Sequence, residues 1–294
     1  MEINKCLIFS VLIIYSGCTS NPFWEDSPSK KINIQGYVNA QSSVSKVPIF
    51  VFVDNLNIST YTDTSGFFSI DIPSLEVEEG VFSGSVKVYY YIHNYKAAQS
   101  TLYITNGRLT SEQIDFDENG VLVDPVSLEK LASFELSIDN IWNRSNGDTL
   151  KLSLTISAKN QPFSYYSYVN IRSNPRRSVP SGILLQSMIN ESIYYDKNNT
   201  DFLQKTDMLL NETNVLEFEV APNGFFPFII DDYISLDQQL VQNGEHEILP
   251  YIYIVQDNIP DELFEKIGIQ TVTTINASFL KIPIDLIKET LLIK

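Results

Sequence analysis

Gly36 to Pro73 reads GYVNAQSSVSKVPIFVFVDNLNISTYTDTSGFFSIDIP, and this pattern admits little other than β-structure. Val47-Pro48-Ile49-Phe50-Val51-Phe52-Val53 is a nearly continuous apolar run of strand length, rich in β-branched and aromatic residues. Such a run suits a strand covered on both faces. Pro48 has no N–H to donate, so it belongs at the strand's first residues or at an edge. Asp54-Asn55 breaks the run. Asp63-Thr64-Ser65-Gly66 then places Asp first and Gly fourth, the order of a tight turn in which Gly tolerates positive φ. Phe68, Ile70 and Ile72 alternate with Ser69 and Asp71, the period of a half-buried strand, and Pro73 ends it. Upstream, Ile32, Ile34 and Val38 open the pattern. Gly36 among them marks a bulge or a close backbone approach.

Taken in order, Gly36-x-Val38, the Val47–Val53 run and Thr62-Asp63-x-x-Gly66-x-Phe68-x-Ile70 resemble the carboxypeptidase regulatory-like domain, a transthyretin-like β-sandwich. The resemblance covers roughly residues 31–105. The family often carries a later Gly-Tyr, and the matching place here reads His93-Asn94-Tyr95-Lys96, without the Gly. The resemblance implies an accessory module and no peptidase activity. A zinc carboxypeptidase needs a His-x-x-Glu pair. His93 is followed by Asn94-Tyr95-Lys96 and His246 by Glu247-Ile248-Leu249, so neither fits.

Residues 1–17 read as a signal peptide, with Lys5 ahead of an apolar run from Leu7 to Tyr15. That run falls short of the ~20 residues a spanning helix needs. Tyr15-Ser16-Gly17-Cys18 resembles the lipobox of bacterial lipoproteins, with Tyr in place of the usual Leu, and implies a lipid on Cys18. The alternative is a plain signal peptide with an incidental Cys. Stable anchoring takes more than one acyl signal, which the several chains of a lipoprotein Cys supply. Thr19 follows the Cys; by resemblance to the enteric sorting rule this implies the outer membrane, with the periplasmic or surface side left open. Residues 18–31, rich in Ser and Pro, read as lipidated Cys and tether.

The 294 residues imply two domains, 32–126 and 127–294. Hydrophobic content of 44% and aromatic content of 12% suffice for two packed cores. A net charge of −16 argues against nucleic acid as a partner. Cys6 and Cys18 are the two cysteines, so a chain cleaved before Cys18 holds no internal disulfide.

After an acidic loop over 75–84, Val86 to Ile92 forms a strand with two distinct faces. Val86, Val88, Tyr90 and Ile92 share one; Lys87, Tyr89, Tyr91 and His93 share the other. Tyr89, Tyr91 and His93 are a candidate ligand platform, for example for sugar rings. The alternative is a Tyr-rich strand packed in a sheet. Asn106-Gly107 is a hairpin signal closing a strand over 101–105. Asp115, Asp117 and Asn119, with Gly120, begin like a calcium loop, but Val126 stands where its bidentate Glu is needed. The alternative is an Asx-rich turn between the domains.

In the second domain Leu150, Leu152, Leu154 and Ile156 alternate with polar residues, the pattern of a strand wet on one side. Phe134–Ile138, 165–171, 215–220, 225–230, 248–255, 270–275 and 278–284 are further expected strands, giving an antiparallel, loosely immunoglobulin-like sandwich. Short helices are expected over 235–244, 260–268 and 200–210, and the tail 285–294 as a strand or helix. The Arg176-Arg177 loop is a candidate contact for an anionic partner, or a solvated loop.

No nucleophile elbow or phosphate loop is present. Asp231-Asp232 or Glu245 and Glu247 offer paired carboxylates for a glycoside hydrolase, but such pairs arise by chance among 36 acids. The sequence thus reads as an all-β, lipid-anchored cell-envelope protein of two β-sandwiches with a few short helices. It is expected to need no cofactor and to bind or scaffold a glycan or a protein partner without catalysis. The alternative is a fimbrial or adhesin subunit built from tandem transthyretin-like domains.

Overall fold

The computed structural model describes residues 32–44, 46–73, 76–77, 80–110, 114–168, 183–194, 203–220, 242–269 and 277–294. The chain is all-β, two β-sandwich domains in series. In the first, the strands are β1 (Ile32–Ala40), β2 (Phe50–Val53), β3 (Ile58–Tyr61), β4 (Phe67–Ile72), β5 (Glu76–Val77), β6 (Gly80–Val81), β7 (Gly84–Tyr91), β8 (Ala98–Thr105), β9 (Arg108–Leu109) and β10 (Val126–Leu128). One sheet runs β10-β1-β4 and the other β3-β2-β7-β8-β9; β5 and β6 make a small hairpin within the acidic loop. β1 sits centrally, antiparallel to β4 and parallel to β10. Ile34, Val38, Phe68 and Ile72 from the first sheet pack on Val51, Val53, Val86, Val88 and Tyr90 from the second.

Gly36 marks a close approach, as its place in the strand predicts: a Cβ there would lie 2.6 Å from Leu122 Cβ. Asn106 and Gly107 both have positive φ, the condition for the tight β8–β9 hairpin.

The turn at Asp63 has a twin. In each, the Asp N–H donates to the carbonyl four residues on (Phe67 or Val121) at 2.8 Å, and the Gly N–H donates back to the Asp carbonyl at 3.0 Å. One carboxylate oxygen accepts the N–H groups two and four residues on, at 2.8 and 3.0 Å for Asp63 and 2.9 and 2.8 Å for Asp117. Gly66 and Gly120 have φ of 83° and 85°, and a Cβ on either would meet a β1 carbonyl oxygen, Val38 at 2.3 Å and Asn33 at 2.2 Å. Both glycines accept a β1 N–H through their own carbonyls at 2.9 Å. Two copies of one Asp-x-x-Gly turn therefore dock on β1.

Among its described residues the second domain holds β11 (Ala132–Ile138), β12 (Ile141–Trp142), β13 (Leu150–Ala158), β14 (Phe163–Tyr168), β15 (Ile183–Ser187), β16 (Ile193–Tyr194), β17 (Leu203–Met208), β18 (Thr213–Val220), β19 (Gly244–Pro250), β20 (Ile252–Val255) and β21 (Glu289–Ile293), with one α-helix, α1 (Asp261–Ile267). They form sheets β11-β13-β18, β12-β21-β19-β15-β16 and β17-β14-β20. α1 follows Pro260, carries Asp261 and Glu262 in its first turn, and ends at Gly268 in the left-handed region, the stop expected of that sequence.

Three expectations change. Residues 203–208 are a strand, not a helix, because β17 pairs along its length with β14. Residues 277–281 are a 3-10 turn, not a strand. The run 248–255 is split at Tyr251 into β19 and β20, which belong to different sheets. The expected elements at 225–230 and 270–275, the Arg176-Arg177 loop, and all but the end of the helix expected over 235–244 lie outside the described residues; Gly244, its expected stop, opens β19.

β2 is covered on both faces, as its composition predicts. Val51 and Val53 face the first core. Phe50 and Phe52, with Tyr89 and Tyr91 of β7, belong to the core of the second domain instead. The two cores change over between Leu128 and Leu131.

Candidate interdomain groove

The junction is built around three consecutive residues just after β7, His93, Asn94 and Tyr95. His93 is fully buried. Its Nδ1 lies 2.7 Å from the Tyr91 hydroxyl, and its Nε2 lies 2.7 Å from the Ile252 carbonyl and 3.0 Å from the Ile254 nitrogen. The tautomer protonated on Nε2 lets the ring donate to Ile252 and accept from Tyr91. Burial holds His93 well below its ordinary value, to about 4. Burial, and Tyr253 nearby, push the Tyr91 phenol well up.

Asn94 is equally buried, and both ends of its side-chain amide are paired. Its amide nitrogen donates to the carbonyls of Ala132 at 3.0 Å and Asp285 at 3.1 Å. Its side-chain oxygen accepts the Asp285 N–H at 2.9 Å. Its backbone carbonyl accepts from Leu131 at 3.0 Å and Ala132 at 3.2 Å. Asn94 thus fastens the second domain to the first. Tyr95 donates to Asp285 Oδ2 at 2.9 Å, and Lys130 Nζ lies 2.7 Å from the same oxygen. Ser43 Oγ and the Val44 N–H, each at 3.0 Å, supply Oδ1. Lys130 also donates to the Ser42 carbonyl at 2.8 Å. Gln256 closes the far side, donating to the carbonyls of Tyr95 at 2.8 Å and His93 at 3.2 Å and accepting from Ala97 at 2.9 Å.

Beside this sealed junction the two domains part to leave a groove of about 850 Å³. Lys87, Tyr89, Lys96, Ala97 and Gln99 form the first domain's wall. The start of β14 (Phe163, Ser164), the end of β17 (Lys205, Asp207, Met208) and the residues closing β20 (Gln256, Asp257, Asn258) form the other. Strand ends and connections of the second domain thus face the flat of a sheet from the first.

The candidate platform is divided between these two places. Tyr91 and His93 are sealed in the junction and offer no free face, because the second domain packs on them. Tyr89, 6% exposed, lines the groove wall. The Asp115–Asn119 segment is an Asx turn of the first domain. Asp115 Oδ2 accepts the Thr101 N–H at 2.7 Å, and the N–H groups of Val121 and Asn119 draw the Asp117 carboxyl below its ordinary value. Among the described residues no three His, Cys, Asp or Glu side chains gather as a metal site. Glu247 is paired with Lys288 at 2.7 Å on the surface of β19. Cys18 and Asp231-Asp232 lie outside the described residues. Among these, no helix is long and apolar enough to cross a membrane.

Alternation along the strand puts Lys87, Tyr89, Tyr91 and His93 on one face, but nothing in it signals the wall opposite. Lys205 and Asp207 fall in the stretch expected as a helix, and Gln256 and Asn258 carry no local signal of a groove.

No family model matches the chain. No curated protein matches it either. Among solved structures, a β-glucosidase from Listeria innocua in complex with glucose aligns at 14% identity and a TM-score of 0.23, over 52% of this chain and 20% of that one. The aligned part is about a fifth of the glucosidase. The major pilin from Streptococcus pyogenes aligns at 8% identity and a TM-score of 0.20, over 77% of this chain and 82% of the pilin.

Proposed function

We propose that this is a lipid-anchored cell-envelope protein, tethered through Cys18 at the outer membrane, with a non-catalytic binding or scaffolding role toward a glycan or a protein partner. In this reading the first domain is a carboxypeptidase regulatory-like module and the partner sits in the interdomain groove. The observation that carries it is the junction. Ligand sites favour domain interfaces and are usually preformed. Here the fused core and the Asn94–Asp285 network hold both groove walls at a fixed distance, so binding costs little ordering of the protein.

Cross-linking and co-purification from the native envelope tests this, with the wild type beside Gln99→Trp, which fills the groove from an exposed wall position. The expected result is one stoichiometric partner or glycan, lost in Gln99→Trp. A detergent-resistant ladder of self-multiples would replace this reading with the fimbrial one. Labelling with a fatty acid tests the tether: wild type without label, or label surviving Cys18→Ser, defeats it.

A further inference from the structure

We propose that the groove takes a carboxylate-bearing glycan of the uronic-acid type, held through Lys87 and Lys96; this rests on the groove being the binding surface. The protein carries a net charge of −16, yet Lys87, Lys96 and Lys205 line the groove against Asp207 and Asp257. Asp207 is already engaged, by Lys205 at 3.9 Å and by the Ser164 hydroxyl at 2.5 Å. Among the described residues no ion pair reaches Lys87 or Lys96, and both side chains are exposed. Two unpaired ammonium groups against one carboxylate leave a local positive excess in an otherwise negative molecule. Concave walls of low dielectric focus that field.

The neighbouring groups choose the chemistry further. Lys87 pairs across the sheet with Thr101, and Tyr89 with Gln99, so these four share the face that forms the wall. An ammonium thus lies roughly 7 Å along the strand from an aromatic edge, and the amide sits directly across the sheet from that edge. Gln99 and Asn258 are exposed amides, which pair with hydroxyls as both donor and acceptor. An extended peptide would instead call for an open strand edge. The β20 edge beside the groove is closed where the His93 ring packs on it and donates to the Ile252 carbonyl. A dispersed polyanion of high charge density is disfavoured by the rest of the surface. A sugar chain bearing single carboxylates fits what remains.

The full chain, purified in detergent, is titrated calorimetrically with oligogalacturonate and with the same oligomer methyl-esterified. The acid form should bind. Esterification, and the double substitution Lys87→Gln with Lys96→Gln, should each weaken binding roughly tenfold or more. Added salt should weaken the acid form alone. Equal binding of both oligomers, no binding of either, or a double variant that binds like wild type overturns the proposal. Gln99→Trp separates the two levels. If it still abolishes capture of the native partner while oligogalacturonate fails, the groove stands and its anionic class falls. If Gln99→Trp leaves native capture intact, the groove itself is not the site.

Discussion

The two domains meet along one strand face, and the two ends of that face behave oppositely. At His93 and Tyr91 the interface is buried, and the imidazole and the phenol are both hydrogen-bonded. Four residues back along β7, at Lys87, the same face is open to solvent. Composition grades along the strand, from a long charged side chain through Tyr89 to the buried pair. The lesson is that an interface between domains can be half weld and half groove, and that the weld is what makes the groove a fixed shape.

The largest test of the weld is Asp285→Ala. It leaves Lys130 and the Tyr95 hydroxyl facing an empty site, and removing one partner of a buried pair costs about 3–5 kcal/mol. Chemical denaturation should show that loss, and domains that melt separately would show the weld to be their coupling. A single transition with an unchanged midpoint would refute the weld.

Next is pH. His93 titrates near 4 in the fold against its ordinary 6.5, so the unfolded chain takes up the proton first as pH falls. Its contribution is whole above pH 6.5, is lost as pH drops from 6.5 to 4, and levels off below. The slope amounts to about 3 kcal/mol over that window. His93→Gln should flatten this part of a stability-versus-pH curve measured by urea unfolding. An unaltered curve would remove His93 from the account.

Gly66→Ala and Gly120→Ala sharpen the comparison from outside the junction. Each forces a side chain into positive φ against a β1 carbonyl and should cost about 1–3 kcal/mol, nearly equally, in thermal melts. A large inequality would deny that the two turns are equivalent. The smallest effect belongs to the groove: Lys87→Gln and Lys96→Gln should shift stability by no more than about 0.5 kcal/mol, because exposed side chains there hold nothing in place.

What could be read in advance follows from how local the cause is. The two-sided cover of Phe50–Val53, the Asp63 turn, the Asn106-Gly107 hairpin and α1 each rest on neighbours in sequence. So does the alternation that put Tyr89, Tyr91 and His93 on one face. What covers that face does not. His93 meets Ile252 and Asn94 meets Asp285 across more than a hundred and fifty residues, a pairing for which one sequence carries no sign. β17 escaped for a related reason. Gln204, Lys205 and Asp207 show little alternation, and it is pairing with β14 that makes them a strand. Asp117 resembled a metal loop because calcium sites and Asx turns use the same oxygens.

The position of β1 has a mechanical consequence. The strand enters at Ile32 and runs nine residues, about 30 Å at 3.3 Å each, toward the junction, flanked by β4 on one side and β10 on the other. Tension applied ahead of Ile32 pulls β1 lengthwise. Its hydrogen bonds to both neighbours then carry the force together, in shear, and must give way at once instead of opening one after another like a zip.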